Sequence, residues 1–192
     1  MNIGMMDVLG ARRSYYAIGR DLPVSEEKVL ETIEKVTELV PDAYNIKSQH
    51  VVVVTGEKQD LLWDSIYDVF GGQVAREKID SFKAGYGTVL FFINQDKVKA
   101  LAEQFPLYKD AFPGFSLQAN GMLQINIWTA LRGLDIGASL QHYNPVIDEK
   151  VRELFDIPES WTLMAEMPFG NILQEPEAKE KEDIKQRVWH IS

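Results

Sequence analysis

The stretch from Ala111 to Leu131, AFPGFSLQANGMLQINIWTAL, contains no charged residue, although 26% of the whole chain is charged. A neutral run of this length indicates burial. Pro113 and Gly114 predict a turn. Ser116 is a suitable N-cap for a helix that ends near Gly133. Apolar side chains occupy more than one side of this predicted helix, so we expect a long central helix that is buried on more than one side.

Two amide side chains, Asn120 and Gln124, lie one turn apart within the apolar arc of this helix. Buried amides need hydrogen-bond partners, and bonds to neighbouring backbone are the simpler interpretation. The alternative is a helix that lines a subunit interface or a polar, uncharged ligand. The small-residue turn from Gly133 to Leu140 favours the alternative, because its backbone N–H groups can approach a ligand closely. Four amides in the stretch argue against a membrane span.

The composition limits the classes of function. A net charge of −9 and a pI near 4.9 argue against nucleic-acid and membrane partners. The chain has no cysteine, which excludes disulfides and thiol nucleophiles and suits a cytoplasmic protein. The first ten residues are too weakly apolar for a signal peptide. We expect residues 1–192 to form one domain, with 175–192 as an extended C-terminal arm.

The hydrophobic periodicity predicts an α+β fold. Helices are expected over 5–14, 25–40, 61–70, 74–82 and 97–105, and a further helix is expected to begin at Asn144-Pro145. Strands are expected over 50–55, 88–94, 138–142 and 161–167, with a β-prone tip at 187–191. Strands separated by helices of uneven length fit this class better than a regular βαβ array.

Several common chemistries have no motif in this chain. The three histidines lack metal-ligand spacing, so we predict no metal site. There is no G-x-S-x-G elbow, no Walker A loop and no G-x-G-x-x-G sequence. Arg12 and Arg13, followed by Ser14, offer the guanidinium forks and the hydroxyl that suit a phosphate. A solvated basic helix end is the simpler interpretation of that pair, as an ordinary charged tail is for Lys179 and Lys181.

Taken together, these motifs resemble the FMN-dependent nitroreductase family. The matches, in chain order, are R-R-S at Arg12 to Tyr16, P-S-x-x-N-x-Q at Pro41 to Lys47, the small-residue loop at Ile136 to Leu140, and K-x-K at Lys179 to Lys181. The segments RRSYY, AGYGTVLFF (84–92) and MPFG (167–170) are similar to the branch of fatty-acid-repression-mutant and copper-induced nitroreductases.

The resemblance implies a mostly antiparallel sheet flanked by helices, and a homodimer that exchanges C-terminal strands and binds FMN in a cleft shared by both subunits. It implies ping-pong hydride transfer from NADH or NADPH to nitroaromatic compounds or quinones, in which the flavin carries the chemistry and no side chain is catalytic. The implied cofactor contacts are Arg12, Arg13, Lys179 and Lys181 at the phosphate, Ser14 at the ribityl chain or phosphate, Tyr16, Asn45 and Lys47 near the isoalloxazine, and backbone of Gly137, Ala138, Ser139 and Leu140 near flavin N5.

Two positions depart from the family pattern. Tyr16 replaces a lysine or arginine near flavin N1 and O2, and Lys47 replaces a glutamine. The charge that stabilises reduced flavin is therefore expected from Lys47. Two other functions remain open from the sequence: a flavin-binding regulatory or stress-response protein with little turnover, and an acidic interaction module whose basic pairs are only surface.

Overall fold

A five-stranded, mostly antiparallel sheet organises the chain. The computed structural model describes residues 4–180 and 182–192. Its strands are β1 (Ile18–Gly19), β2 (Gln49–Thr55), β3 (Gly87–Asn94), β4 (Ile136–Ala138) and β5 (Trp161–Ile172). The order is β1-β5-β3-β2, and β4 also pairs with β5. All these pairs are antiparallel, and β2 has no second neighbour among the described residues.

Helices cover both faces of the sheet, which confirms the α+β class. They are α1 (Met5–Ala11), α2 (Glu26–Leu39), α3 (Glu57–Phe70), α4 (Arg76–Lys83), α5 (Gln95–Gln104), α6 (Phe112–Gly133) and α7 (Asp148–Phe155), with short 3₁₀ turns at Ala43–Asn45, Pro106–Tyr108 and Ile184–Gln186. The side chain of Ser25 caps α2, because it accepts the Lys28 N–H at 3.2 Å. Across residues 4–180 and 182–192, no helix is long and apolar enough to cross a membrane.

The sheet separates two hydrophobic cores. One core packs α3, α4 and α7 against the sheet around Trp63, Phe82 and Phe92. The other packs α2 and α6 against the opposite face around Val29 and Ile127. Strand β3 lies between them, so its apolar run GTVLFFI is buried on both faces.

The central helix α6 begins earlier than the sequence suggested. The helix starts at Phe112, so the predicted turn at Pro113-Gly114 and the predicted N-cap at Ser116 are wrong. Proline is tolerated in the first helical turn, where its missing N–H would have no helical acceptor. The Ser116 hydroxyl instead donates to the Phe112 carbonyl at 3.1 Å. The predicted end near Gly133 is confirmed.

One apolar side of α6 faces solvent in this chain. Ala119, Leu123 and Ile127 are buried against the sheet. The opposite side carries exposed apolar residues and no charged residue before Arg132 in the last turn; we call it the exposed α6 face, formed by Phe115, Leu117, Met122 and Ile125. The expectation that the helix is buried on more than one side is therefore not met within a single chain.

Other boundaries also differ from the sequence-based expectation, including the end of α1 at Ala11 and the start of α3 at Glu57. Strand β4 covers 136–138 rather than 138–142, and Gln141 forms a separate bridge to Glu166. Helix α7 begins at Asp148 because the Asn144 side chain donates to the Leu163 carbonyl instead of capping the helix. Strand β5 continues through 168–170. The tip 187–191 is not a strand in this chain.

Candidate functional site

The basic segment after α1 lies alongside the small-residue loop that begins in β4. Ser14 forms a parallel bridge with Ala138, and the Tyr15 N–H donates to the Ala138 carbonyl at 3.0 Å. Glycine is needed at 137, because a Cβ there would lie 3.0 Å from the Tyr15 Cβ and 2.8 Å from Ile172. The fold therefore brings together the predicted site residues of both segments: Arg12, Arg13, Ser14, Gly137, Ala138, Ser139 and Leu140.

Trp128, on α6, contacts both segments. The Arg12 guanidinium carbon lies 4.2 Å from the centre of the Trp128 ring, and the indole N–H donates to the Ala138 carbonyl at 3.1 Å. The Arg12 Nε is buried and has no hydrogen-bond partner in the described part of the chain. Burial, and secondly the charge of Arg13, lowers the pKa of Arg12. Its guanidinium still stays charged at neutral pH. The sequence indicated Trp128 only as an apolar position, although a tryptophan N–H on a partly buried side chain needs an acceptor.

Backbone bonds to β5 leave one uncommitted N–H in this loop. The Ser139 N–H donates to the Pro168 carbonyl at 3.2 Å, and the Gln141 N–H donates to the Glu166 carbonyl at 2.7 Å. Leu140 lies between them, and its N–H donates to no residue that the structure describes. A ligand beside the loop can therefore receive a hydrogen bond from Leu140 but not from Ser139.

Glu166 supports the loop from behind. Its side chain is fully buried, and one carboxyl oxygen accepts the Tyr143 N–H at 2.9 Å. Burial raises its pKa to about 8, and the nearby Asp148 charge acts in the same direction. The group is therefore neutral at neutral pH. The sequence analysis did not identify this residue.

The start of the C-terminal arm is fastened to the basic segment. Arg13 donates to the Glu177 carbonyl at 2.5 Å, and the Tyr15 hydroxyl lies 3.2 Å from a Glu175 carboxylate oxygen. Lys179 follows two residues later, so its backbone lies within about 7 Å of Glu177. Its side chain is exposed. Lys181, the other predicted phosphate ligand of the arm, lies outside the described residues.

Tyr16 borders a small groove at the same place. Its side chain is exposed, and a space of about 160 Å³ separates it from the arm residues 174–177. The groove places Tyr16 beside the start of the C-terminal arm.

Asn45 and Lys47 occupy a different part of the molecule. Tyr44, Asn45 and Lys47 all have left-handed backbone conformations, with φ of 54°, 53° and 52°. This geometry is uncommon for residues other than glycine. It is held by Asp42, whose carboxylate accepts the N–H and the hydroxyl of Ser48, at 2.7 and 2.6 Å. The Asn45 and Lys47 side chains are exposed beside a groove of about 190 Å³.

The length of α6 separates these two parts. The Tyr44 ring packs 5.5 Å from Phe112 at the start of the helix, whereas Arg12 lies over Trp128 near its end. These helix positions differ by 128 − 112 = 16 residues, or about 24 Å along the helix axis. A single chain therefore does not bring Asn45 and Lys47 to the basic segment.

The amides of α6 are satisfied within the protein. Asn120 donates to the Gln49 side chain at 2.6 Å and to the Phe92 carbonyl at 3.3 Å. Gln124 donates to the Asn120 side-chain oxygen at 2.6 Å. The simpler interpretation of Asn120 as a satisfied core amide is confirmed, and its partners include a side chain as well as backbone.

The fold places a basic segment, whose charges suit an anionic group such as a phosphate, beside a small-residue loop. The sequence profile of the nitroreductase family matches residues 9–171. This chain belongs to the nitroreductase family. The relatives HBN1 and FRM2 of Saccharomyces cerevisiae, the second described as a nitroreductase, are 31% and 29% identical to it, each over 91% of both chains. The resemblance to their branch is confirmed.

Solved structures share the fold closely. The nitroreductase CinD from Lactococcus lactis is 41% identical, with a TM-score of 0.94 over 98% of this chain and 100% of that chain. It was solved in complexes that include chloramphenicol, nicotinic acid and 4-nitrophenol. A protein from Exiguobacterium sibiricum, solved in complex with FMN, has the same fold at 11% identity, with a TM-score of 0.76 over 97% of each chain.

Proposed function

We propose that this chain is an FMN-dependent oxidoreductase that uses NADH or NADPH to reduce nitroaromatic compounds or quinones. The observation that carries the proposal is the pairing of the basic segment with the loop after β4 through the Ala138 carbonyl. The CinD complexes with chloramphenicol and 4-nitrophenol, both nitroaromatic, support this choice of acceptor. The FMN complex of the neighbour from E. sibiricum supports the choice of cofactor.

The residues around Arg12 suit the phosphate of FMN. Arg12 keeps a buried Nε–H without a partner among the described residues, and such a donor is costly unless a ligand accepts it. Arg13 commits one nitrogen to Glu177, which leaves other N–H groups of its fork for an anion. Ser14 adds a hydroxyl, and Lys179 and Lys181 are proposed to close the site from the arm. In a chain of net charge −9, a dianion needs such a local set of cations.

The loop suits the ring system of the cofactor. The uncommitted Leu140 N–H is the donor we assign to the flavin, with the backbone of Gly137, Ala138 and Ser139 forming the wall beside it. Tyr16 is placed at the edge of the same site. When bound, FMN supplies the two-electron chemistry between NAD(P)H and the acceptor, so the protein provides placement and electrostatics rather than a catalytic side chain.

A homodimer is proposed to complete the site. Asn45 and Lys47 are about 24 Å from the basic segment along α6, so we assign their role at the flavin to Asn45 and Lys47 of the partner subunit. The exposed α6 face is apolar and uncharged, as expected of a surface that a second subunit covers. Residues 1–192 then act as one FMN-binding domain whose cofactor site needs two copies.

The C-terminal arm, residues 175–192, is proposed to cross to the partner and pair with β2. Val188, Trp189 and Ile191 form its tip and are exposed in the single chain. The unpaired edge of β2 borders a groove of about 390 Å³ between that strand and α2, lined partly by Leu30, Ile33 and Val51. Glu34 in the groove complements Arg187 in the arm. Pairing would also protect the edge of the sheet.

Anaerobic spectroscopy tests the proposed function. The purified protein should be yellow, and NADH or NADPH should bleach its visible absorbance. Addition of 4-nitrophenol or a quinone should restore the colour, and steady-state double-reciprocal plots should be parallel because one pocket serves both substrates. We place this reaction in the cytoplasm. A colourless protein that takes up no added FMN contradicts the proposal. Colour that is bleached but not restored by any acceptor identifies a flavin-binding protein with little turnover.

A further inference from the structure

Trp128 connects the two segments to which the proposed function assigns FMN. We infer that Trp128 is a positioning residue: its ring orients Arg12 toward the phosphate, and its indole N–H fixes the backbone that presents Leu140 to the flavin. The inference rests on the proposed function. It concerns a side chain for which no ligand contact has been assigned.

The ring contact accounts for the position of Arg12. No carboxylate forms an ion pair with Arg12 in the described part of the chain. Its neighbour Arg13 has the same charge and turns to the Glu177 carbonyl. The negative face of the indole attracts a guanidinium at 4.2 Å and opposes that repulsion. Because the ring makes no hydrogen bond to Arg12, the N–H groups in the plane of the guanidinium stay available to a ligand. Arg12 is therefore held in place without using its hydrogen-bond donors.

The indole N–H fixes the other segment. The Ala138 carbonyl accepts two donors, the Tyr15 N–H at 3.0 Å and the Trp128 Nε1–H at 3.1 Å. The Ala138–Ser139 peptide is planar, so its N–H is fixed with its carbonyl and meets Pro168 at 3.2 Å. Gln141 is held on the other side by two backbone bonds to Glu166, so the Ser139–Leu140 peptide, which carries the Leu140 N–H, lies between two fixed points.

The two functions of the ring can be separated by substitution. Trp128→Phe keeps an aromatic face for Arg12 but removes the indole donor. Trp128→Leu removes both. Trp161→Phe is a matched control, because Trp161 stacks on His50 at 4.0 Å in another part of the sheet and makes no contact with Arg12 or Ala138. Thermal unfolding of each apoprotein separates loss of fold from loss of binding.

The experiment compares binding of FMN with that of riboflavin, which lacks the phosphate. Trp128→Leu should weaken FMN about 10-fold more than it weakens riboflavin. The variant Arg12→Ala should show the same selective loss. The ratio of FMN to riboflavin affinity in the double variant should lie within about 2-fold of that ratio in Arg12→Ala, because both changes remove one interaction at the phosphate. Trp128→Phe should weaken the two ligands about equally, by 2- to 10-fold for one lost hydrogen bond. Trp161→Phe should change neither.

The possible outcomes separate this inference from the proposed function. If the wild-type protein binds no FMN, the proposed function fails first. If the wild type binds FMN and folded Trp128→Leu keeps the wild-type ratio of FMN to riboflavin affinity, only the inference is wrong. Additive losses of FMN selectivity over riboflavin in the Arg12→Ala and Trp128→Leu double variant also overturn it, since they would mean that the two side chains act independently at the phosphate. Should Trp128→Leu fail to fold, a Trp128→Phe variant with unchanged affinity for both ligands contradicts the assigned role of the indole N–H.

Discussion

The segments that pack at the two ends of α6 differ in how fully their polar groups are bonded within the chain. Near Trp128, the basic segment and the loop after β4 are held by backbone bonds to each other and to β5. Near Phe112, the residues 44–47 include three left-handed conformations, and the side chains of Asn45 and Lys47 are exposed. The first end is charged and fixed, and the second presents polar groups from a strained turn. We propose from this difference that each end is half of a site, which the opposite end of a second copy completes.

Removal of the arm tip should give the largest effect on this arrangement. The arm starts at the Trp128 end of one chain, and its proposed groove begins at Gln49 and His50, beside the Phe112 end. Deletion of residues 187–192 removes the apolar tip formed by Val188, Trp189 and Ile191. Because burial of each such side chain contributes about 1.5–3 kcal/mol, the dimer dissociation constant should rise by about 100-fold or more. Sedimentation measures this, and FMN should dissociate more readily in parallel.

The control for the deletion is Lys185→Ala, which changes the exposed 3₁₀ turn without touching the tip. It should leave the dimer intact. A truncated protein that stays a yellow dimer with an unchanged melting temperature would show that the arm does not join the two ends.

Glu166 should make the protein less stable as the pH rises from about 4.5 to about 8. The unfolded chain releases this proton near pH 4.5, and the folded chain releases it near 8. The folded state therefore binds more protons between these values, and stability falls as pH rises through them. Glu166→Gln keeps the acceptor for the Tyr143 N–H and removes the titration. It should raise the free energy of unfolding by a few kcal/mol at pH 8.5, with little change near pH 4.5, as measured by urea denaturation.

His50, three residues after Lys47, should give the opposite dependence of stability on pH. Burial, and secondly the charge of Lys97, lowers its pKa. The folded state therefore disfavours the charged form, and stability is lost as pH falls below about 6.5, its ordinary value. His50→Phe keeps the stack on Trp161 and should increase stability only on the acid side. If Glu166→Gln or His50→Phe raised the free energy of unfolding equally at acid and at alkaline pH, the assignment of these titrations would be wrong.

Lys47 should affect the flavin more than Tyr16 does, although Tyr16 lies only two residues after Ser14 of the basic segment. Lys47→Gln removes a positive charge that we place near the flavin ring, so the two-electron reduction potential should fall by tens of millivolts. Tyr16→Phe removes no charge and should shift the potential less. Potentiometric titration of both variants ranks them. A larger shift for Tyr16→Phe would place Tyr16, not Lys47, at the reactive ring.

Much of the fold could be predicted because its elements have local signals. The run TVLFFIN is apolar on both faces and became the central strand, and Ser25 became a cap. The errors came where tertiary contacts override local preference. Asn144 favours a cap, but a carbonyl on β5 takes its side chain. Pro113 and Gly114 favour a turn, but the first turn of a helix tolerates both residues.

The sequence proposed residues for the candidate site but did not show how the fold arranges them. The resemblance named both Arg12 and Ala138 as cofactor contacts, and the fold brings their two segments together. The same order gave no sign that Asn45 and Lys47 lie at the far end of α6. Glu166 was missed because strand alternation puts it between the apolar residues Ala165 and Met167, which is the pattern of a solvent-facing carboxylate. It is buried because residues 141–143 return over it.

A heterodimer experiment tests the shared site most directly. One chain carries Arg12→Ala with Arg13→Ala, and the other carries Asn45→Ala with Lys47→Ala; different affinity tags isolate the mixed dimer after co-expression. Each homodimer should bind FMN at least 10-fold more weakly than wild type. In the mixed dimer, one site combines the two intact halves, so FMN titration should reveal one site of wild-type affinity per dimer. A mixed dimer without any wild-type site would show that both halves act within one chain, and the account of a site shared between subunits would be wrong.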